Sequence, residues 1–227
     1  MKFGVVTFPG SNCDQDMFDV LREQLNQQVI KLWHKDTSLQ GVDFIILPGG
    51  FSYGDYLRSG AIARFSPIMN EVIKHAQRGG FVMGICNGFQ ILTETGLVEG
   101  ALLHNNNQRF VCKNTFLKPV SNSAAISIDL KNSSYKIPIA HGEGRFFTDE
   151  DTLKSLEDND QILFQYCDEG GLVTNESNPN GSLNNIAGIT NKGKNVFGMM
   201  PHPERASDRF LSNEDGLFLF NSLLNNC

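Results

Sequence analysis

The run Phe81-Val82-Met83-Gly84-Ile85-Cys86-Asn87-Gly88-Phe89-Gln90-Ile91-Leu92 constrains this chain more than any other. Residues 81–85 have no polar position, the pattern of a strand buried on both faces of a parallel sheet covered by helices. Beyond Cys86, the residues Ile91, Leu92 and Thr95 recur at helical spacing. The pattern therefore switches from strand to helix across one residue. Glycines two positions before and two after Cys86 leave room where strand and helix come too close for side chains. A fold that satisfies this run is α/β, with Cys86 on a sharp turn at the carboxyl end of a strand.

A cysteine taken at random is most often a buried, unreactive residue. The flanking glycines and the strand-to-helix switch argue otherwise here, because they reproduce the steric logic of a nucleophile elbow with sulfur in place of oxygen. A helix N-terminus or a protonated histidine lowers a thiol pKa from its usual ~8.5 and raises the thiolate fraction.

The 227 residues are enough for one α/β domain, and we expect a single domain over 1–227. A net charge of −6 without a Lys/Arg block excludes an obvious nucleic-acid or anionic-membrane partner. No apolar run approaches the ~20 residues of a membrane span, and the apolar start is broken at Pro9, so a cytoplasmic chain is expected. Five cysteines at 13, 86, 112, 167 and 227 include no C-x-x-C pair, against both a disulfide framework and a metal site.

In chain order, residues 2–8 read as a strand, followed by a helix capped by Ser11 or Asn12 and carrying Met17, Val20, Leu21 and Leu25 on one face. Strands are expected at 29–33 and 42–47, the second stopped by Pro48-Gly49-Gly50. Residues 51–66 are aromatic, polar and punctuated by glycine, which suggests a site loop. An amphipathic helix from Pro67 ends at Gly79-Gly80. Past the elbow helix come short strands at 109–118, 125–129 and 136–141, a helix at 149–156, a strand at 161–166 and a surface loop at 175–185. A hairpin over 186–199 and a final helix with Leu217, Phe218, Phe220 and Leu224 complete a mostly parallel sheet with an antiparallel extension.

Pro201-His202-Pro203-Glu204-Arg205 follows the last apolar strand, so His202 falls at a strand's carboxyl end, where open α/β sheets bind ligands. Pro203 restricts His202 to extended backbone, and in an extended segment His202 and Glu204 project to one side. A carboxylate can then hold the imidazole tautomer while the other nitrogen serves a thiol, although a surface loop gives the same letters. His141-Gly142-Glu143-Gly144-Arg145 ends another strand, with glycines suited either to backbone approaching a ligand or to a tight turn. His34, His75 and His104 read as structural or surface residues.

Together these residues resemble the class I (triad) glutamine amidotransferases, whose fold is flavodoxin-like. The likeness extends through Gly10-Ser11-Asn12-Cys13-Asp14, Pro48-Gly49-Gly50-Phe51-Ser52-Tyr53-Gly54-Asp55, His141-Gly142-Glu143-Gly144 and Met200-Pro201-His202-Pro203-Glu204-Arg205-Ala206, to glutaminase subunits serving de novo purine biosynthesis. The resemblance implies Cys86 as nucleophile, His202 as base then acid and Glu204 as its orienting carboxylate. Backbone N–H groups of Gly49, Gly50 and Asn87 would form the oxyanion hole, and Gln90, Phe51 and His141 would touch substrate. It also implies glutamine as substrate, a synthetase partner that takes the ammonia and uses ATP with magnesium, and a small third subunit. This chain itself would need no cofactor, in keeping with its lack of a Walker-type phosphate loop. A glutaminase of the same fold feeding a different acceptor, or a different thiol hydrolase on a related fold, stays open; an intact Cys, His and Glu set speaks against a silent binding module.

Overall fold

A computed structural model describes residues 1–227. In chain order the elements are β1 (Lys2–Thr7), α1 (Asp14–Asp19) with a π-helical continuation Val20–Gln24, β2 (Gln28–Trp33), β3 (Phe44–Leu47), α2 (Pro67–Gln77), β4 (Phe81–Ile85) and α3 (Asn87–Glu94). Then follow β5 (Ala101–Leu103), β6 (Val111–Pro119), β7 (Tyr135–His141), β8 (Arg145–Phe147), α4 (Glu150–Asp158), β9 (Ile162–Cys167), β10 (Ile186–Thr190), β11 (Val196–Met199) and α5 (Asp215–Asn226).

Nine strands form one mixed sheet in the order β2-β1-β3-β4-β11-β10-β9-β6-β7. Pairings from β2 through β1, β3 and β4 to β11 are parallel. Those from β11 through β10, β9 and β6 to β7 are antiparallel. The expected parallel sheet with an antiparallel extension is therefore present, the extension matching the parallel part pairing for pairing. Every residue of β3 is buried, as are the last four of β4, which explains why neither strand shows a polar face. β5 and β8 form a separate antiparallel pair that the sequence pattern does not reveal. No helix is long and apolar enough to cross a membrane.

Several local expectations are corrected. Residues 125–129 are turns, not a strand. The N–H groups of Ser127 and Ile128 donate to the Ala124 carbonyl at 2.9 and 3.0 Å, closing turns, and Ser222 of α5 ties the segment down by donating to the Ala125 carbonyl at 2.7 Å and accepting from the Asp129 N–H at 3.1 Å. Neither Ser11 nor Asn12 caps α1; Cys13 occupies that position without a side-chain cap, and Ser11 Oγ accepts from the Phe8 N–H instead. On α5 the buried apolar residues are Leu219, Phe220 and Leu223, whereas Phe218 is exposed, so the apolar stripe is rotated from the one expected. The supposed surface loop 175–185 buries Asn180, Ser182 and Asn185, whose side chains bond to backbone within the molecule.

Candidate active site

Strand β4 delivers the chain to Cys86 and α3 leaves from it. Cys86 has φ 51° and ψ −105°, a conformation that costs a non-glycine residue about 1–3 kcal/mol and survives only where its surroundings impose it. The flanking glycines show what imposes it. A Cβ on Gly88 would lie 1.9 Å from the Leu47 carbonyl oxygen of β3, and one on Gly84 would lie 2.6 Å from the backbone of Gly88. Strand and helix start thus touch backbone to backbone, holding the turn sharp and the thiol at its apex.

β11 lies beside β4 in parallel register, Met199 opposite Ile85, and the Cys86 N–H donates to the Met199 carbonyl at 2.8 Å. His202 leaves the same end of the sheet, anchored by its N–H on the Pro138 carbonyl of β7 at 2.8 Å. Its backbone is non-helical, as Pro203 requires, but Glu204 sits in a short 3₁₀ turn over Pro203–Ala206, not in an extended segment. The turn folds the carboxylate back, and His202 Nδ1 lies 2.6 Å from Glu204 Oε1. Both residues are only 2% exposed. Burial pulls the His202 pKa down, but the Glu204 carboxylate and a charge on Cys86 push it further up, so the imidazolium is favoured. His202 Nε2 and Glu204 Oε2 have no hydrogen-bond partner.

Cys86 and His202 open on one cavity of about 130 Å³, whose walls include Cys13, Gly50, Phe51 and Phe110. Phe51 is 46% exposed there. Gly49 presses on the imidazole: a Cβ at that position would stand 2.7 Å from His202 Cε1. Gly50 has φ +138°, a value that only glycine adopts readily. The Gly49 carbonyl accepts from Cys13 N–H at 3.4 Å and Phe51 N–H donates to the Gly10 carbonyl at 3.1 Å, while the N–H groups of Gly49 and Gly50 donate to no acceptor in the chain. Asn87 opens α3, where first-turn N–H groups lack intrahelical partners.

Two expected substrate contacts are placed differently. Gln90 does not line the cavity; its amide accepts from Asn87 Nδ2 at 2.9 Å and donates to the Glu143 carbonyl at 2.5 Å. His141 is also off the wall, buried, with Nδ1 3.1 Å from Asn105 Oδ1. Asn105 Oδ1 also accepts from the Gly144 N–H, so His141 Nδ1 is the donor. Burial first, and the positive charge on His202 second, push His141 down to about 4, so it is neutral near pH 7.

Four neighbours had no role in the sequence reading. Asn105, in an unremarkable asparagine run, fixes the His141 turn. Asp55 accepts from Asn87 Nδ2 at 3.3 Å, joining the 51–66 loop to the elbow helix. Cys13 is buried beside the cavity and its thiol is pushed up to about 12, by burial and then by the Glu204 charge, against the pull of Arg205. Arg205 donates to Cys13 Sγ and to Asp16 Oδ2, each at 3.1 Å. Cys13 and Arg205 stand within motifs the resemblance singled out, which was the available signal.

The family model for the CobB/CobQ-like glutamine amidotransferase domain matches residues 1–215. The chain is 57% identical over 220 residues to phosphoribosylformylglycinamidine synthase subunit PurQ of Synechocystis sp., covering 96% of this chain and 98% of the relative. It is 55% identical to the subunit of the same name from Moorella thermoacetica, covering 99% and 95%. The solved PurLQS structure from Thermotoga maritima superposes with a TM-score of 0.86 at 41% identity, over 99% of this chain and 97% of that one. A solved glutamine amidotransferase from Thermotoga maritima shares the fold, with a TM-score of 0.58 at 16% identity, covering 99% and 91%.

Proposed function

Since the chain belongs to the CobB/CobQ-like glutamine amidotransferase family, we propose that it is the glutaminase subunit of phosphoribosylformylglycinamidine synthase. It hydrolyses glutamine to glutamate and ammonia and passes the ammonia to a synthetase subunit that makes formylglycinamidine ribonucleotide. The observation that carries the mechanism is His202, bonded to the buried Glu204 carboxylate, sharing a small cavity with a conformationally strained cysteine.

His202 takes the proton of the Cys86 thiol, and Glu204 stabilises the imidazolium that results. The thiolate attacks the side-chain amide carbon of glutamine. The oxyanion is held by the N–H groups of Gly49, Gly50 and Asn87, where losing one donor costs about 3–4 kcal/mol of barrier. His202 then protonates the leaving nitrogen, ammonia departs and a glutamyl thioester remains. Neutral His202 next takes a proton from water, whose attack on the thioester releases glutamate and restores the thiol. Phe51 forms the exposed wall of the substrate cavity, while Gln90 ties the elbow helix to the Glu143 turn and His141 is held by Asn105.

In this reading residues 1–227 are one glutaminase domain of a cytoplasmic complex. ATP and magnesium are used on the synthetase subunit, and a small third subunit completes the assembly. The test is reaction with a diazoketone analogue of glutamine, followed by peptide mass spectrometry. One label on Cys86, prevented by excess glutamine, is expected; labelling of another cysteine, or no protection by glutamine, overturns the assignment.

A further inference from the structure

Cys13 is a buried thiol that the glutaminase chemistry does not use, in a motif the mechanism leaves unexplained. We propose that Cys13, His202 and Glu204 form a binding site for a thiophilic divalent cation such as zinc, and that its occupation takes His202 out of catalysis. Spacing along the chain hides this group, because Cys13 comes from the end of β1 and the other two from the end of β11. The fold brings one ligand atom of each within 4.8 Å of the others, with all three residues buried.

Three observations support the site. The donor set of sulfur, imidazole nitrogen and carboxylate oxygen suits tetrahedral zinc, with a fourth position for water. Its bond lengths of about 2.0–2.3 Å require the ligand atoms to close in by roughly 1 Å, within the reach of side-chain rotation. Next, Glu204 Oε2 is sealed from solvent with no hydrogen-bond partner, so the carboxylate has a lone pair that the folded protein leaves unused. Finally, the cluster is reachable. Cys13 and His202 border the 130 Å³ cavity, and Glu204 borders a second cavity of about 420 Å³, whose rim carries Asp16, Asp19 and Asp208. Asp16 is paired with Arg205, which lines the same rim, and Asp19 and Asp208 are left to favour the approach of a cation.

Charge also balances. On binding, the Cys13 S–H bond and one N–H bond of the His202 imidazolium break, both protons leave to solvent, and the freed sulfur and nitrogen lone pairs form the metal bonds, with no change of oxidation state. Thiolate and carboxylate together neutralise one divalent ion. The Arg205 guanidinium, now 3.1 Å from Cys13 Sγ, swings aside and keeps its bond to Asp16. An imidazole engaged by the cation can no longer accept a thiol proton. That loss of activity rests on the reading of His202 as the base, but the binding does not.

The test therefore reads metal directly. Cobalt(II) is titrated into the full-length Cys86→Ala protein and into Cys86→Ala combined with Cys13→Ser. A thiolate-to-cobalt absorption at one equivalent is expected in the first and not in the second. Zinc affinity, measured by competition, should fall at least about tenfold on adding Cys13→Ser. A band that survives loss of Cys13, or that is missing in Cys86→Ala, overturns the proposal. Should Cys13→Ser fail to fold, the wild-type chain crystallised with zinc decides. An anomalous peak about 2.3 Å from Cys13 Sγ supports the site, and a peak on Cys86 and His202 alone, or none, removes it. Diazoketone labelling of Cys86 fails or succeeds independently of these results.

Discussion

His202 Nδ1 and Glu204 Oε1 meet at 2.6 Å inside the protein, two residues apart on a 3₁₀ turn that begins at Pro203. The raised His202 pKa makes this contact a stability term as well as a catalytic one. Its contribution is fully present below the unfolded histidine pKa of about 6.5 and is lost as pH rises through the higher folded value. Glu204→Gln removes the charge. We expect glutamine turnover to fall by about 10²-fold or more, and the melting-temperature deficit to be larger near pH 6 than in alkaline buffer. Turnover within twofold of wild type would reduce Glu204 to a structural residue.

Cys86→Ala and Cys86→Ser are expected to abolish glutamine-dependent synthesis by the reconstituted complex while ammonia-dependent synthesis survives. Because Cys86 holds φ 51° and ψ −105°, Cys86→Gly should relieve strain that Cys86→Ala retains. Thermal unfolding of the two inactive variants compares them directly. A Gly variant clearly less stable than the Ala variant would show that the turn is unstrained.

Gly88→Ala tests the backbone contact beneath the elbow. A methyl group 1.9 Å from the Leu47 carbonyl oxygen cannot be absorbed by a side-chain rotation, since the obstacle is main chain in β3. Destabilisation of about 3 kcal/mol is expected, read as a lower urea midpoint at unchanged slope. An unshifted midpoint would mean that α3 can slide away from β3.

Asp55 gives a pH prediction of the same sign in a more acidic window. Burial first, and the nearby Glu143 charge second, raise its carboxyl to about 6, against the lowering by Ser59 and Asn87 hydrogen bonds. A carboxyl whose folded value lies above its unfolded one costs stability as pH rises from about 4 to about 6, because the unfolded chain ionises first. Asp55→Asn keeps an acceptor for Asn87 Nδ2 and escapes that loss. Its melting temperature relative to wild type should climb across this window and then level off; a difference independent of pH would place the raised value elsewhere.

The elbow, the strand-end histidine and the parallel half of the sheet were legible because each rests on local rules: glycines at fixed offsets, uninterrupted apolar strands, a proline after His202. What escaped is non-local. Cys13 reaches His202 only because β1 and β11 end on the same side of one sheet. Asn105, Asn180 and Ser182 looked like loop polarity, and their burial follows from backbone groups around Gly144 that need partners. Gln90 bonds to Asn87 one turn away, but its second partner, the Glu143 carbonyl, lies 53 residues on, where no local pattern points. The turns at 125–129 alternate like a strand, and only the α5 face above them decides otherwise.

The same connections predict that the isolated chain is a poor glutaminase and that its synthetase partner activates it. The 51–66 loop starts at Gly50, whose φ of +138° and adjoining Gly49 let a peptide reorient its N–H at small steric cost. From there the loop is fastened to the site by the Ser52 N–H on Asn87 Oδ1 at 3.2 Å, by Asp55 on Asn87 Nδ2 and by the Ser59 N–H on Glu143 Oε2 at 3.3 Å. Its tip, by contrast, presents Tyr56 and Leu57 to solvent at 73% and 91% exposure. A partner that covers those two side chains pulls on a loop whose other end carries two proposed oxyanion donors. A tenfold rise in turnover needs only about 1.4 kcal/mol of preferential binding to the competent conformer. At saturating glutamine the assembled complex should therefore turn over at least tenfold faster than the lone chain. Tyr56→Ala with Leu57→Ser should shrink that stimulation while leaving the lone chain's rate within twofold. Equal rates for chain and complex would mean that the oxyanion hole is complete without help, and control through this loop would have to be given up.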